Sequence, residues 1–421
     1  MNEITQELGK GITLTRITEP KFKTNTIMVM LLVPVTPERN AAYALAQSLL
    51  TQSCRKYPDN ASMTIRLDEM YGASINSSMS INGGVMQILL SGSVIANRYA
   101  LAGEDLLGNL TDLLLNCLFD PNVKDNAFDA GEYKIQRKEL LDAIEAMINN
   151  KRGYALVRAR QIAFAGEPDA YLVYGTREDV EKLDAASVYQ AYKELLRRAV
   201  IRIYRVGPEC PDSLAERLQA AFGQLSDRAP EVLPYVAQSP AKASPESVTE
   251  PMDITQSKLV LAFKGENLPY EAFRLFSAVY GGTPFSMLFS NVREKMSLCY
   301  YCASRVIAGK DTLMVDSGVE LANAEKAKNA ILAQLDAMKK GEFSDMILEN
   351  AKHSMVNALR GIGDTPTSCI SDVYERYYRQ DAASVEERVQ RYLALTREDI
   401  IAVANALSLD TVYLMQQGGG K

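Results

Sequence analysis

The chain has 421 residues, 47% of them hydrophobic and 23% charged, with a net charge of −6. That length exceeds one ordinary core and predicts about two to three domains. The acidic balance speaks against a nucleic-acid surface. No window approaches the roughly 18 uninterrupted apolar residues of a membrane span, and the N-terminus has no basic segment leading into an apolar run, so a cytoplasmic protein is expected. Six scattered cysteines fit reduced, buried thiols better than a disulfide framework.

In chain order, the apolar run Thr26 to Val35 predicts a buried strand. Thr36 and Pro37 then open a helix whose core face carries Ala42, Leu45, Ala46, Leu49 and Leu50. A second helix from about Ala61 stops at Gly72, and Ser74 to Ile81 and Val85 to Gly92 form a hairpin over Asn82, Gly83 and Gly84. An amphipathic helix through Leu106 to Cys117 ends at Asp120 and Pro121, and a long helical stretch covers about Asn126 to Phe164. A helix over Ala185 to Arg198, the strand Val200 to Val206 and a short helix to Phe222 close this half.

Residues 226 to 251 carry five prolines without helical or strand period and are expected to be a linker. The second half repeats the order of the first. It runs as the strand Lys258 to Lys264, two helices, a hairpin of Leu298 to Ile307 with Thr312 to Val319, the helix Ala322 to Lys339, a long helical region from Phe343 to about Gln380, the helix Arg397 to Leu407 and the strand Thr411 to Met415. An internal duplication follows, giving an α+β chain of two homologous domains, residues 1 to 225 and 252 to 421, each an antiparallel sheet packed on helices.

The stretch Gly281 to Tyr301, GGTPFSMLFSNVREKMSLCYY, carries the candidate chemistry. It predicts a helix bearing Arg293 that breaks and hands over to a strand opening with tyrosines. A guanidinium and the Tyr300 phenol at that junction suit the clamping of a peptide carbonyl, although spacing alone also fits a surface arginine beside a core tyrosine. Cys299 and Cys302 form a C-x-x-C. If this segment is a strand, the odd offset puts the two sulfurs on opposite faces, which favours a structural reading over redox or zinc chemistry.

These residues resemble the pitrilysin and insulinase family of inverted-motif zinc peptidases. The likeness lies in two glycines, Ser and Leu, V-R-E-K, and a tyrosine seven residues after the arginine; Ser53 to Pro58 (SCRKYP) resembles the ending that follows the family's zinc helix. The resemblance implies tandem α+β repeats closing as a clamshell around a peptide. It also implies an H-x-x-E-H zinc helix, which this chain lacks. Tyr43, Ala46 and Gln47 stand at its His, Glu and His positions, and the third ligand position falls near Ala143, with Asp142 and Glu145 at helical offsets that point elsewhere. The only histidine is His353, and neither a G-x-S-x-G elbow nor a Walker loop is present.

A zinc peptidase needs a metal that brings its water's pKa to about 7 and a base to take the proton. This sequence offers neither. In small two-chain members of the family, one subunit carries the zinc and the other the Arg and Tyr. The resemblance therefore implies a non-catalytic, zinc-less subunit that supplies Arg293 and Tyr300 to the active site of a zinc-bearing H-x-x-E-H paralogue acting on peptides. No metal is expected on this chain, and nucleic-acid and membrane partners are not expected. An inert peptide-binding or scaffold protein, homodimeric or not, stays open.

Overall fold

The computed structural model describes residues 2–209, 211–225, 227–235 and 238–418. They form two compact units, one of Met1–Glu145, Tyr171–Pro234 and Ile362–Arg379, the other of Ala146–Ala170, Tyr235–Gly361 and Gln380–Lys421. Each unit is thus completed by a segment from the opposite half of the sequence.

The first unit is built on a six-stranded sheet in the spatial order Asn2–Gly9, Ile12–Thr18, Val200–Gly207, Thr24–Pro34, Val85–Ile95, Ser74–Asn82. The second has five strands in the order Tyr301–Val306, Thr312–Val319, Ser257–Lys264, Ser408–Gln417, Glu246–Met252. Read from the hairpin end, the two sheets have the same strand order. Thr24–Pro34 and Ser257–Lys264 each pair antiparallel on both sides, and Val200–Gly207 and Ser408–Gln417 each take a parallel neighbour on the far side. The same order and the same strand directions establish the duplication as architecture. Among the described strands of these two sheets, the outermost, Asn2–Gly9, has no counterpart.

One face of each sheet packs on helices. In the first unit Ile27, Val29, Leu31 and Val33 meet the helix Pro37–Leu49 through Ala44 and Leu45 in a single buried cluster; in the second, Leu259, Leu261 and Phe263 meet Phe273, Phe276 and Ile331. The alternate residues Met28, Met30 and Leu32 are buried as well. A strand buried on both faces reads as a continuous apolar run, which is why no alternation shows in TIMVMLLVPV.

The other face is covered by the exchanged segments. In the second unit the helix Lys151–Ala163 lays the small-residue stripe Ala155, Ala159 and Ala163 against Val260, Ala262, Met314 and Tyr413. In the first unit the helix Pro366–Arg379 lies by the strand Val200–Gly207, with the Arg202 guanidinium on the Tyr377 ring and Arg376 paired to Glu3 at 2.6 Å.

Both long helical stretches expected from the sequence are interrupted, and the breaks fall at corresponding places. Met147–Asn149 tightens into a 3-10 turn before Asn150, whose side chain accepts from the Gly153 amide and caps the next helix. Gly361–Asp364 does the same before Pro366. The N-terminal hairpin, turning at Gly11 with φ 68°, was not foreseen, nor was the helix Val385–Ala394 with its Ser384/Glu387 capping box. The last residues of the expected linker form the edge strand Glu246–Met252, where Pro251 costs no central ladder bond. Ser226, Val236 and Ala237 of that stretch lie outside the described residues.

Candidate functional site

Arg293 and Tyr300 are brought together in the second unit. The helix Tyr270–Ser277 widens at Ala278–Gly282, and a second wide-turned segment, Leu288–Lys295, carries Arg293; the Met296 amide closes on the Asn291 carbonyl five residues back. Insertions of this kind recur where a helix must re-aim its side chains. Gly281 packs the turn: an added Cβ would lie 2.7 Å from Leu288 Cδ1 and 2.7 Å from the Ser304 amide nitrogen. Ser297, at φ 52°, then reverses the chain into the strand Tyr301–Val306.

The two residues meet in an unexpected way. Arg293 Nε donates to the Tyr300 main-chain carbonyl at 3.0 Å, Nη1 donates to Glu294 Oε1 at 2.8 Å, and the guanidinium lies over the Phe289 ring, 4.6 Å from its centroid. Nη2 has no partner among the described residues. The Tyr300 side chain is 60% exposed, so it is no core residue, and its phenol donates to Glu320 Oε1 at 3.2 Å. The geometry therefore holds the guanidinium rigidly and leaves one edge of it open, while the phenol is tethered separately.

Phe289, Glu294 and Glu320 were not singled out from the sequence. Phe289 and Arg293 stand at i, i+4 on one helical face, a spacing that could have flagged them; nothing in the linear sequence points to Glu320.

Cys299 lies outside the strand, half-buried, and Cys302 is buried. The strand begins only at Tyr301, so the alternation that would put the two sulfurs on opposite faces does not extend to Cys299. The neighbouring Cys302 thiol is the main cause holding Cys299 down at about 7, and Ser317 and Arg293 act in the same direction.

At the zinc-helix positions Tyr43 is buried, and burial raises its phenol above the usual tyrosine range; Ala46 is fully buried, and Gln47 is half-buried. On the helix Ala130–Ala146, the stripe Glu132, Gln136 and Glu139 faces inward in part: Glu132 accepts from Ser53 Oγ at 2.5 Å, and buried Gln136 donates to Glu139 at 2.9 Å. Ala143 continues that stripe one turn on and is exposed. His353 is exposed on the helix Asp345–Arg360.

The family model described as the peptidase M16 inactive domain matches residues 182–355. The probable inactive metalloprotease YmfF of Bacillus subtilis (strain 168) is 29% identical over 99% of this chain and 98% of its own length. Among solved structures, a conserved protein from Enterococcus faecalis V583 superposes with TM-score 0.90 at 25% identity over 100% of both chains. A peptidase M16 inactive domain from Pseudomonas fluorescens has the same fold, with TM-score 0.80 at 16% identity over 100% of this chain and 99% of that one.

The match to the M16 inactive-domain model covers residues 182–355, and the fold shared with the Pseudomonas fluorescens M16 inactive domain runs over the whole chain. The likeness to zinc-less pitrilysin-type proteins read from Arg293, Tyr300 and the altered zinc helix is thus carried by sequence and fold together.

The pitrilysin resemblance implies zinc, and the residues at the positions expected for its ligands do not fit it. Zinc takes imidazole, thiolate or carboxylate donors, whereas here the side chains are a buried phenol, two methyl groups and a carboxamide. Among the described residues no three His, Cys, Asp or Glu side chains gather as a metal site, and no helix is long and apolar enough to cross a membrane.

Proposed function

We propose that this chain is the non-catalytic, substrate-binding subunit of a two-chain zinc peptidase of the cytoplasm, supplying Arg293 and Tyr300 to a site whose zinc sits on an H-x-x-E-H partner. The observation that carries the reading is the Arg293 environment. Its guanidinium is fixed by the Tyr300 carbonyl, Glu294 and Phe289 with Nη2 left to donate, while Tyr43, Ala46, Gln47 and Ala143 offer no zinc ligand. A positioned cation serves best where negative charge develops during reaction, as on the carbonyl oxygen of a peptide under attack. The bond-breaking chemistry, water activation by zinc and proton removal by a base, would belong to the partner.

Mixing the purified chain with a zinc-bearing relative tests this directly. The mixture is expected to cleave peptides that neither this chain alone nor this chain with added zinc cleaves. Arg293→Ala should lower turnover of the mixture by roughly 10²–10³, the scale for one oxyanion donor; full activity of that variant would remove Arg293 from the mechanism.

A further inference from the structure

The first unit holds a groove none of whose lining residues belongs to the Arg293 stretch. It has a volume of about 540 Å³ and runs along the helix Ala130–Ala146 under the segment of residues 177 to 183. Its charged lining consists of Lys134, Arg137, Lys138 and Arg177 against Asp142 and Glu145. Four cations thus meet these two carboxylates and that of Glu181, which Arg177 also reaches, on a chain whose net charge is −6. Its volume falls within the roughly 300–1,000 Å³ of small-molecule sites.

The charges divide into a framework and a free pair. Arg177 pairs with Glu145 and donates to Glu181 at 2.8 Å, and Arg137 Nη2 donates to the Glu181 carbonyl at 3.3 Å. Tyr133 fastens the same wall by donating to the Leu183 carbonyl at 2.5 Å. Lys134 and Lys138, in contrast, are exposed and pair with no carboxylate among the described residues. Standing at i, i+4, they repel each other on one helix face. Beneath them Tyr133, Leu141 and Leu183 give the groove an apolar floor.

We propose that this groove binds a small amphipathic anion, with a phosphate or carboxylate head between Lys134 and Lys138 and an apolar body over Tyr133, Leu141 and Leu183. An anionic head relieves the repulsion between the two ammonium groups and gains charge-assisted hydrogen bonds. The body gains by leaving water. Because its lining includes neither Arg293 nor Tyr300, it stands whether or not the peptidase reading does.

Calorimetric titration of the full chain with octyl phosphate, octanoate, octanol and inorganic phosphate, at low salt, tests the proposal. Octyl phosphate and octanoate should both bind, each at least about tenfold tighter than octanol or inorganic phosphate. The double variant K134Q/K138Q should lose about tenfold or more of that affinity, the scale for removing charged hydrogen-bond donors, and K326Q/K340Q, which removes two exposed lysines of the other unit, should lose none. Absence of octyl phosphate binding at millimolar concentration would overturn the site. Equal loss in both double variants would reduce it to bulk charge. Octanol binding as tightly as octyl phosphate would remove the head, and phosphate binding as tightly would remove the body.

Discussion

Arg293 owes its constraint to the Tyr300 main chain, and its neighbour Cys299 owes its acidity to Cys302. The thiol pair makes a prediction at the level of single atoms. Cys299 at about 7 is the more reactive of the two, so its alkylation rate should rise through a midpoint near pH 7 and level off above it. The sign for Cys302→Ala follows: without the neighbouring thiol the Cys299 thiolate is less stabilised, its pKa returns upward, and the midpoint of iodoacetamide labelling by mass spectrometry moves to higher pH. An unchanged midpoint would assign the acidity to Ser317 and Arg293 instead. The chemistry of this stretch was legible as V-R-E-K followed by tyrosine. The route by which Arg293 is held was not, because a bond to a backbone carbonyl leaves no mark on residue type.

At the scale of elements, the wide-turned segment Leu288–Lys295 is what aims Arg293 toward the start of the strand. Its packing has no slack at Gly281, which stands against both Leu288 and the Ser304 backbone. Gly281→Ala is therefore expected to destabilise the chain by about 1–3 kcal/mol, the usual range for overpacking. Urea unfolding measures this as a lowered midpoint at constant m. The strand Thr26 to Val35 was readable as a continuous apolar run, and the helices with long apolar stripes were readable from period. The breaks at Met147–Asn149 and Gly361–Asp364 were not, since the residues on either side keep good helical composition and only Asn150, Gly361, Gly363 and Pro366 mark the change.

Those breaks matter most for the molecule as a whole. They are where the chain leaves one unit to complete the other, sending Ala146–Ala170 to the second and Ile362–Arg379 to the first. The second unit holds its borrowed segment by burial and by charge: Lys310 reaches Glu167 at 3.0 Å and Asp169 at 3.3 Å, and Arg160 reaches Asp169 at 3.1 Å, with Lys310 and Asp169 almost fully buried. Removing one side of such a network strands the rest without compensation. Residues 1–225 and 252–421 expressed as separate fragments should consequently not fold alone, each lacking a segment of its unit, and circular dichroism melts of the fragments should show no cooperative transition. Two fragments that each melt cooperatively would show the exchange to be dispensable.

The sequence by itself determined the α+β class, the duplication, the hairpins and the candidate residues Arg293 and Tyr300, because hydrophobic period, turn chemistry and motif spacing are local properties that survive in one dimension. That the phenol, methyl and carboxamide of Tyr43, Ala46 and Gln47 are not the imidazole and carboxylate donors of a zinc helix is likewise a matter of functional groups alone. Only the tertiary structure decided which helix covers which sheet, that Glu320 tethers the Tyr300 phenol, and that Lys134 and Lys138 overhang an apolar groove. Each of these joins residues distant in sequence, and long-range contacts are selected by the packing of the whole fold, which no local pattern encodes.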